Sequence, residues 1–189
     1  PRSTPKPSSA ASDVYKRQGS VFRLEYYEPS DMEVIVSRSA RIMEMDADQD
    51  GLNEIASRSR GTPRIANRLL KRTRDYALVK ADNRVTRDVA RAGLQQLSVD
   101  QLGLDQSDHR LLSSLIDKFD GGPVGLETLA ASINEDSDTI MDVLEPYLLQ
   151  LGFLDRTPRG RVATRIAYEY LGKTYQQIDP PDQGRLAGL

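Results

Sequence analysis

The sequence predicts a mainly α chain of two small helical units, the second of them closed by a short β-hairpin. Three observations predict it. Apolar residues recur at helical spacing from about residue 30 to residue 172. Aromatics make up only 6% of the 189 residues, with no Trp, which suits small helical modules better than one large β-sandwich core. Pro and Gly cluster where the periodicity stops, at Gly121-Gly122-Pro123 and Pro158-Arg159-Gly160. At roughly 100–200 residues per domain, the length admits one domain or two small ones.

The elements follow in order. Residues 1–19 are rich in Ser, Pro and Ala, carry no periodicity, and read as disordered or foreign sequence. Residues 20–29 are extended through Arg23-Leu24-Glu25-Tyr26-Tyr27 until Glu28-Pro29 breaks the run. Ser30 is expected to cap a helix to about Met43, with Met32, Ile35, Val36 and Ala40 on one face. Asp50-Gly51 opens a short helix using Leu52, Ile55 and Ala56. Thr62 caps the next, with Pro63 at the first helical position, where a missing N–H costs nothing. That helix buries Ile65, Leu69, Leu70 and Tyr76. Thr86 caps a fourth, turning Val89, Ala90, Ala92 and Leu97 inward, so residues 30–100 form one all-α unit.

The second unit spans 103–175. Leu111, Leu112, Leu115, Ile116 and Phe119 stripe a helix over 107–119, and further helices are expected at 125–133 and 137–151. Gly152-Phe153-Leu154 starts a strand, Pro158-Arg159-Gly160 turns it, and Arg161-Val162-Ala163-Thr164 returns. Helix, helix, helix, hairpin is the winged-helix order. A last helix covers 165–172, and residues 176–189 read as a frayed tail.

Composition excludes several chemistries. The chain has no Cys, so disulfides, thiol catalysis and thiolate metal sites are out, which suits a reducing cytosol. The single histidine, His109, allows no His-rich zinc site and reads as a surface helix residue. No apolar run reaches the roughly 18 residues of a membrane span. The P-loop and dinucleotide-binding glycine motifs do not occur. Asp46, Asp48, Asp50 and Gly51 imitate the start of a calcium loop, but its closing position is Ser57 and not a bidentate Glu. The bland reading is an interhelix turn with acids at a helix N-terminus. No metal site is expected.

Charge is balanced overall, 26 Lys and Arg against 28 Asp and Glu, and segregated locally. Any attraction to nucleic acid must therefore come from a local patch. Residues 58–74 hold Arg58, Arg60, Arg64, Arg68, Lys71, Arg72 and Arg74 with no acid among the charged groups before Asp75. Most of this run reads as a solvated face. Arg64 differs, because it sits in the first turn of a helix whose N–H groups suit a phosphate. Residues 119–155 hold Asp120, Glu127, Glu135, Asp136, Asp138, Asp142, Glu145 and Asp155 and no Lys or Arg. Their third helix is a poor major-groove reader, since phosphates repel it. The hairpin, with Arg156, Arg159, Arg161 and Arg165, is expected to carry DNA contact instead.

These residues resemble the RuvB family of Holliday-junction branch-migration motors. Gly61-Thr62-Pro63-Arg64-Ile65-Ala66-Asn67-Arg68-Leu69-Leu70 and Ile35-Val36-Ser37-Arg38-Ser39-Ala40 look like its second-sensor segment and the stretch before it. Gly121-Gly122-Pro123-Val124-Gly125-Leu126, Asp142-Val143-Leu144-Glu145-Pro146-Tyr147-Leu148 and Arg156-Thr157-Pro158-Arg159-Gly160-Arg161 look like its C-terminal domain. The resemblance covers about 21–175. It implies an AAA+ small lid domain at 30–100, a winged-helix DNA-binding head at 103–175, and, at 20–29, the last strand of a large ATPase domain absent from this chain. By match, Arg64 is the sensor-two arginine near the γ-phosphate, and Tyr27 lies beside the nucleotide. Arg156 and Arg161 match the DNA-touching wing arginines, with Arg159 between them. No complete catalytic set is expected in this chain, so ATP and its Mg²⁺ would be handled through the missing domain. The resemblance further implies a cytoplasmic homohexamer acting on Holliday-junction and duplex DNA with RuvA and RuvC, in recombination and repair. Other readings are a stand-alone winged-helix DNA-binding regulator, which requires a basic reader helix, and a protein-interaction module.

Overall fold

The computed structural model describes residues 26–175. The expectations for 1–19, for Arg23-Leu24-Glu25 and for 176–189 lie outside the described residues.

The first unit is four helices: α1 (Pro29–Ile42), α2 (Gln49–Ser57), α3 (Pro63–Lys80) and α4 (Arg87–Gln96). Helix starts shift slightly from expectation, each for a local reason. Pro29, not Ser30, begins α1, because its fixed φ and missing N–H suit the first helical position. Asp48, not Asp50, caps α2 by accepting from Gly51 N at 2.7 Å. Thr62 holds the cap position of α3, but its hydroxyl donates to Arg60 O at 3.2 Å and caps nothing. Thr86 does cap α4, accepting from Val89 N at 3.4 Å.

Met32, Val36, Ile55, Ala66, Leu69, Leu70, Ala77, Ala90 and Leu94 close the core of this unit. Leu97 is an exception to the expected inward set. It follows the last turn of α4 and is 36% exposed, while Gly93 and Leu94 face inward and Gly93 lies under the Tyr76 ring. A pair of two-residue strands that the periodicity did not signal, β1 (Asp46–Ala47) and β2 (Arg84–Val85), runs parallel and ties the loops before α2 and α4. The calcium-like carboxylates are used here: Asp48 caps α2, and Asp46 in β1 lies 4.0 Å from Arg84.

The second unit begins with α5 (Gln106–Phe119), opened by a reciprocal capping box between Asp105 and Asp108, and α6 (Leu126–Ile133). The third helix, α7 (137–150), is not uniform. Ser137–Thr139 is α-helical, Ile140–Leu144 widens into a π turn, and Glu145–Gln150 is α-helical again. The cause is Pro146. Its ring would clash with the carbonyl four residues back, and widening the turn makes room. The hairpin follows: β3 (Leu154–Thr157) pairs antiparallel with β4 (Gly160–Ala163). Val124 bridges the outer side of β4 through reciprocal backbone bonds with Arg161, at 2.9 and 2.8 Å. Gly122 permits this approach, because a Cβ there would lie 2.3 Å from Arg161 O. A last helix, α8 (Arg165–Tyr170), returns over a core of Leu111, Leu112, Leu115, Leu129, Ile140, Leu148 and Phe153.

The two units meet at a polar junction. Arg58 Nη1 donates to Val99 O at 3.1 Å at the end of the first unit, and Arg60 Nε donates across to Gly103 O at 2.8 Å. Asp100 accepts from the backbone of Leu102 and Leu104, pairs with His109 Nε2 at 2.7 Å and takes the Tyr170 hydroxyl. His109, read as a surface helix residue, has a structural partner in Asp100.

Candidate nucleotide-facing edge and DNA interface

The first site is an edge of the lid. Tyr27 N donates to Gly61 O at 2.9 Å, which lays the start of the described chain against the loop before α3. Gly61 is needed at that point. It has φ +59°, and a Cβ would meet Tyr27 O at 2.7 Å and the Tyr26 side chain at 2.9 Å. Two residues that the resemblance marked, Tyr27 and Arg64, are thus brought to one edge by a hydrogen bond and a close backbone approach. Tyr27 is half exposed and Arg64 is exposed.

The first turn of α3 offers unused donors. Pro63 has no N–H, and the N–H of Ala66 already bonds Thr62 O at 3.0 Å. Among the described residues, the N–H groups of Arg64 and Ile65 meet no acceptor, and Arg64 has no carboxylate partner. Two free amides, the positive end of an 18-residue helix and a free guanidinium form an anion-accepting arrangement.

The basic run does not behave as one face. Arg68, Lys71 and Arg72 are exposed along α3 beyond Arg64. Arg58 and Arg60, by contrast, are 8% and 9% exposed and belong to the junction, which overturns the solvated reading for these two. Periodicity missed them because they precede α3 and their backbone acceptors, Val99 O for Arg58 and Gly103 O for Arg60, lie 41 and 43 residues further along the chain. The signal available was Gly61, a turn residue just before Pro63; in the structure Arg60 and Gly61 have φ of +55° and +59°, and the chain reverses there.

The second site is the wing. Arg156 and Arg161 are opposed Cα partners, and Arg159 is exposed in the turn. The resemblance paired Arg156 and Arg161 as DNA-touching arginines, with Arg159 between them, and the structure separates that pair. The Arg156 side chain is 54% exposed, whereas that of Arg161 is 13% exposed. Both bond Glu145, at 2.7 Å from Arg156 Nε and 2.9 Å from Arg161 Nη2. Burial pushes the Glu145 carboxyl up, but the two guanidiniums outweigh it and hold its pKa below the usual glutamate value. Arg165 pairs with Glu169 on the surface of α8. On α7, Asp138 and Asp142 are exposed, so this helix and the wing carry opposite charge. Among the described residues, no helix is long and apolar enough to cross a membrane, and no cluster of three His, Asp or Glu could hold a metal.

Known proteins match both units. The family model for the RuvB AAA lid domain matches residues 27–100, and that for the RuvB C-terminal winged helix domain matches 101–172. A curated relative, the Holliday junction branch migration complex subunit RuvB of Dehalococcoides mccartyi (strain CBDB1), is 60% identical over 168 residues, 89% of this chain and 48% of the relative. A solved structure of the Thermotoga maritima RuvB Holliday junction branch migration motor superposes with a TM-score of 0.82 at 42% identity, over 87% of this chain and 55% of that one. The chain therefore spans about half the length of the relatives it matches.

Proposed function

The chain belongs to the RuvB family, and on that premise we propose that it supplies the nucleotide-sensing lid and DNA-contacting head of an ATP-driven motor that moves Holliday junctions. The observation that carries the reading is that one chain holds a phosphate-fitting helix start and a basic wing, joined through a buried junction.

The lid edge fits a nucleotide phosphate. Arg64, with the free amides of Arg64 and Ile65, would meet the γ-phosphate, and Tyr27 would lie beside the nucleotide. ATP supplies the free energy of phosphoryl transfer when bound by the whole protein. The part of this chain is to respond. Arg64 favours one lid angle while the γ-phosphate is present, and loss of that contact removes the preference. Because α3 is a single helix from Pro63 to Lys80, and Arg60 just before it grips the head through Gly103 O and Asp108, a change at Arg64 would be passed on as rigid-body motion.

The wing would touch DNA through backbone phosphates, so binding would tolerate any sequence, as translocation requires. Holliday-junction and duplex DNA, RuvA and RuvC, a homohexameric ring, Mg²⁺ held through the ATPase domain and a cytoplasmic setting belong to the same proposal. The stand-alone regulator is not favoured, since the exposed acids of α7 would face phosphate. The test is fluorescence anisotropy of the full chain with two unrelated duplexes across a salt series. Equal affinities that fall with salt are expected. A strong preference for one duplex would overturn the motor reading in favour of a regulator.

A further inference from the structure

Arg156 and Arg161 stand directly opposite on the hairpin, and like charges so placed repel. One carboxylate resolves the conflict. Glu145, reaching from α7, accepts from Arg156 with Oε1 and from Arg161 with Oε2. Of the eight acids between 119 and 155 it is the only one buried, at 0% exposure. It is therefore not part of the acidic face that α7 shows to solvent.

The two arginines play different parts. Arg161 is nearly covered, so its guanidinium is committed to the carboxylate. Arg156 is held only through Nε, and among the described residues neither of its Nη groups donates to another protein group. A guanidinium fixed along one edge and free along the other loses little side-chain freedom when it meets a phosphate.

We propose that Glu145 is the positioning residue of the wing, presenting the Arg156 guanidinium to a DNA phosphate, with Arg161 as the strut that completes the pairing of the buried carboxylate. This rests on the wing reading above. It makes a prediction opposite to simple charge counting. Removing an acid beside cations should strengthen DNA binding if charge alone matters, and weaken it if the acid holds Arg156 in place.

The experiment is anisotropy of the full chain on one mixed-sequence fluorescent duplex at fixed salt, with wild type, Glu145→Gln, Arg156→Ala, the double variant and Arg156→Lys. Glu145→Gln is expected to weaken binding roughly three- to tenfold, the scale of one ordinary net hydrogen bond, because the Arg156 charge itself remains. In the Arg156→Ala background the same change is expected to do nothing, because Glu145 acts through Arg156. Arg156→Lys keeps the charge and three donors but has no rigid planar fork whose second edge stays aimed outward while the first is held by Glu145, so it is expected to bind more weakly than wild type, towards Arg156→Ala. Unchanged or tighter binding by folded Glu145→Gln, losses that multiply in the double variant, or wild-type binding by Arg156→Lys would each overturn the proposal. Should circular dichroism show Glu145→Gln unfolded, Arg156→Lys decides alone. Wild-type binding by Arg156→Ala would remove the wing reading itself, and this inference with it.

Discussion

Arg60 of the lid and Asp108 of the head form a buried ion pair across the two units. Their side chains are 7% and 0% exposed. Arg60 also donates to Gly103 O and lies 5.0 Å over the Tyr147 ring, whose hydroxyl donates to Leu102 O at 2.6 Å. Opening this junction would strand two charges away from their partners, so the pair ties the two units together.

Arg60→Ala should therefore be among the most damaging single changes in the chain. It leaves Asp108 buried without its cation, which costs about 3–5 kcal/mol in comparable pairs. Arg68→Ala, on the exposed part of α3, should change stability by less than about 0.5 kcal/mol. Urea unfolding of the two variants beside wild type checks the contrast. Similar midpoints would mean that the junction contributes little.

Asp108 should also leave a mark on the pH dependence of stability. Burial raises its pKa from 3.8 to about 6, although Arg60 and the Asp105 amide pull the other way and Asp105 itself adds repulsion. Between about pH 4 and about pH 6 the folded chain keeps a proton that the unfolded chain has released, so this residue makes stability fall as pH rises. The swing is at most about 3 kcal/mol. Asp108→Asn should remove that downward contribution. Unfolding free energies of both proteins at several pH values across the window test it, and parallel curves would refute it.

Arg64→Ala in the full-length protein should lower ATP hydrolysis roughly 10–10³-fold while nucleotide binding changes less. In the proposed role the guanidinium would act on charge that develops at the γ-phosphate, and one such donor has that scale. Its exposed position means folding should be unaffected. Single-turnover hydrolysis and equilibrium nucleotide binding separate the two effects. Unchanged turnover with weakened binding would contradict the role. The present chain alone, with no P-loop motif, should not hydrolyse ATP.

On the wing, Arg156 and Arg159 should carry the salt dependence. Each phosphate contact contributes about −0.9 to the slope of log affinity against log salt, so replacing both with Ala should flatten it by about 2. Asp142→Lys should not weaken binding. Arg161→Ala should act differently, lowering the melting temperature because it takes one partner from the buried Glu145. A salt series beside thermal melts distinguishes these effects. An unchanged slope in the Arg156, Arg159 double variant would move DNA off the wing.

The sequence by itself determined the helices, their order and the hairpin. Apolar spacing, Pro63 at a helix start, Gly121-Gly122-Pro123 and Pro158-Arg159-Gly160 are local signals, and each acts within a turn or two of its own position. It also brought Tyr27, Arg64 and the wing arginines into view as candidates, through strings that resemble a family. Only the tertiary structure decided what each charge is for. Arg60 and Asp108 lie 48 residues apart, and Glu145 and Arg161 lie 16 apart, so no periodicity links them. Burial then reverses the meaning of the residue type. A charged side chain is cheap in water and costly inside unless paired, so the fold turned Arg58, Arg60 and Arg161 from surface cations into struts, and Glu145 from a repelling acid into an anchor.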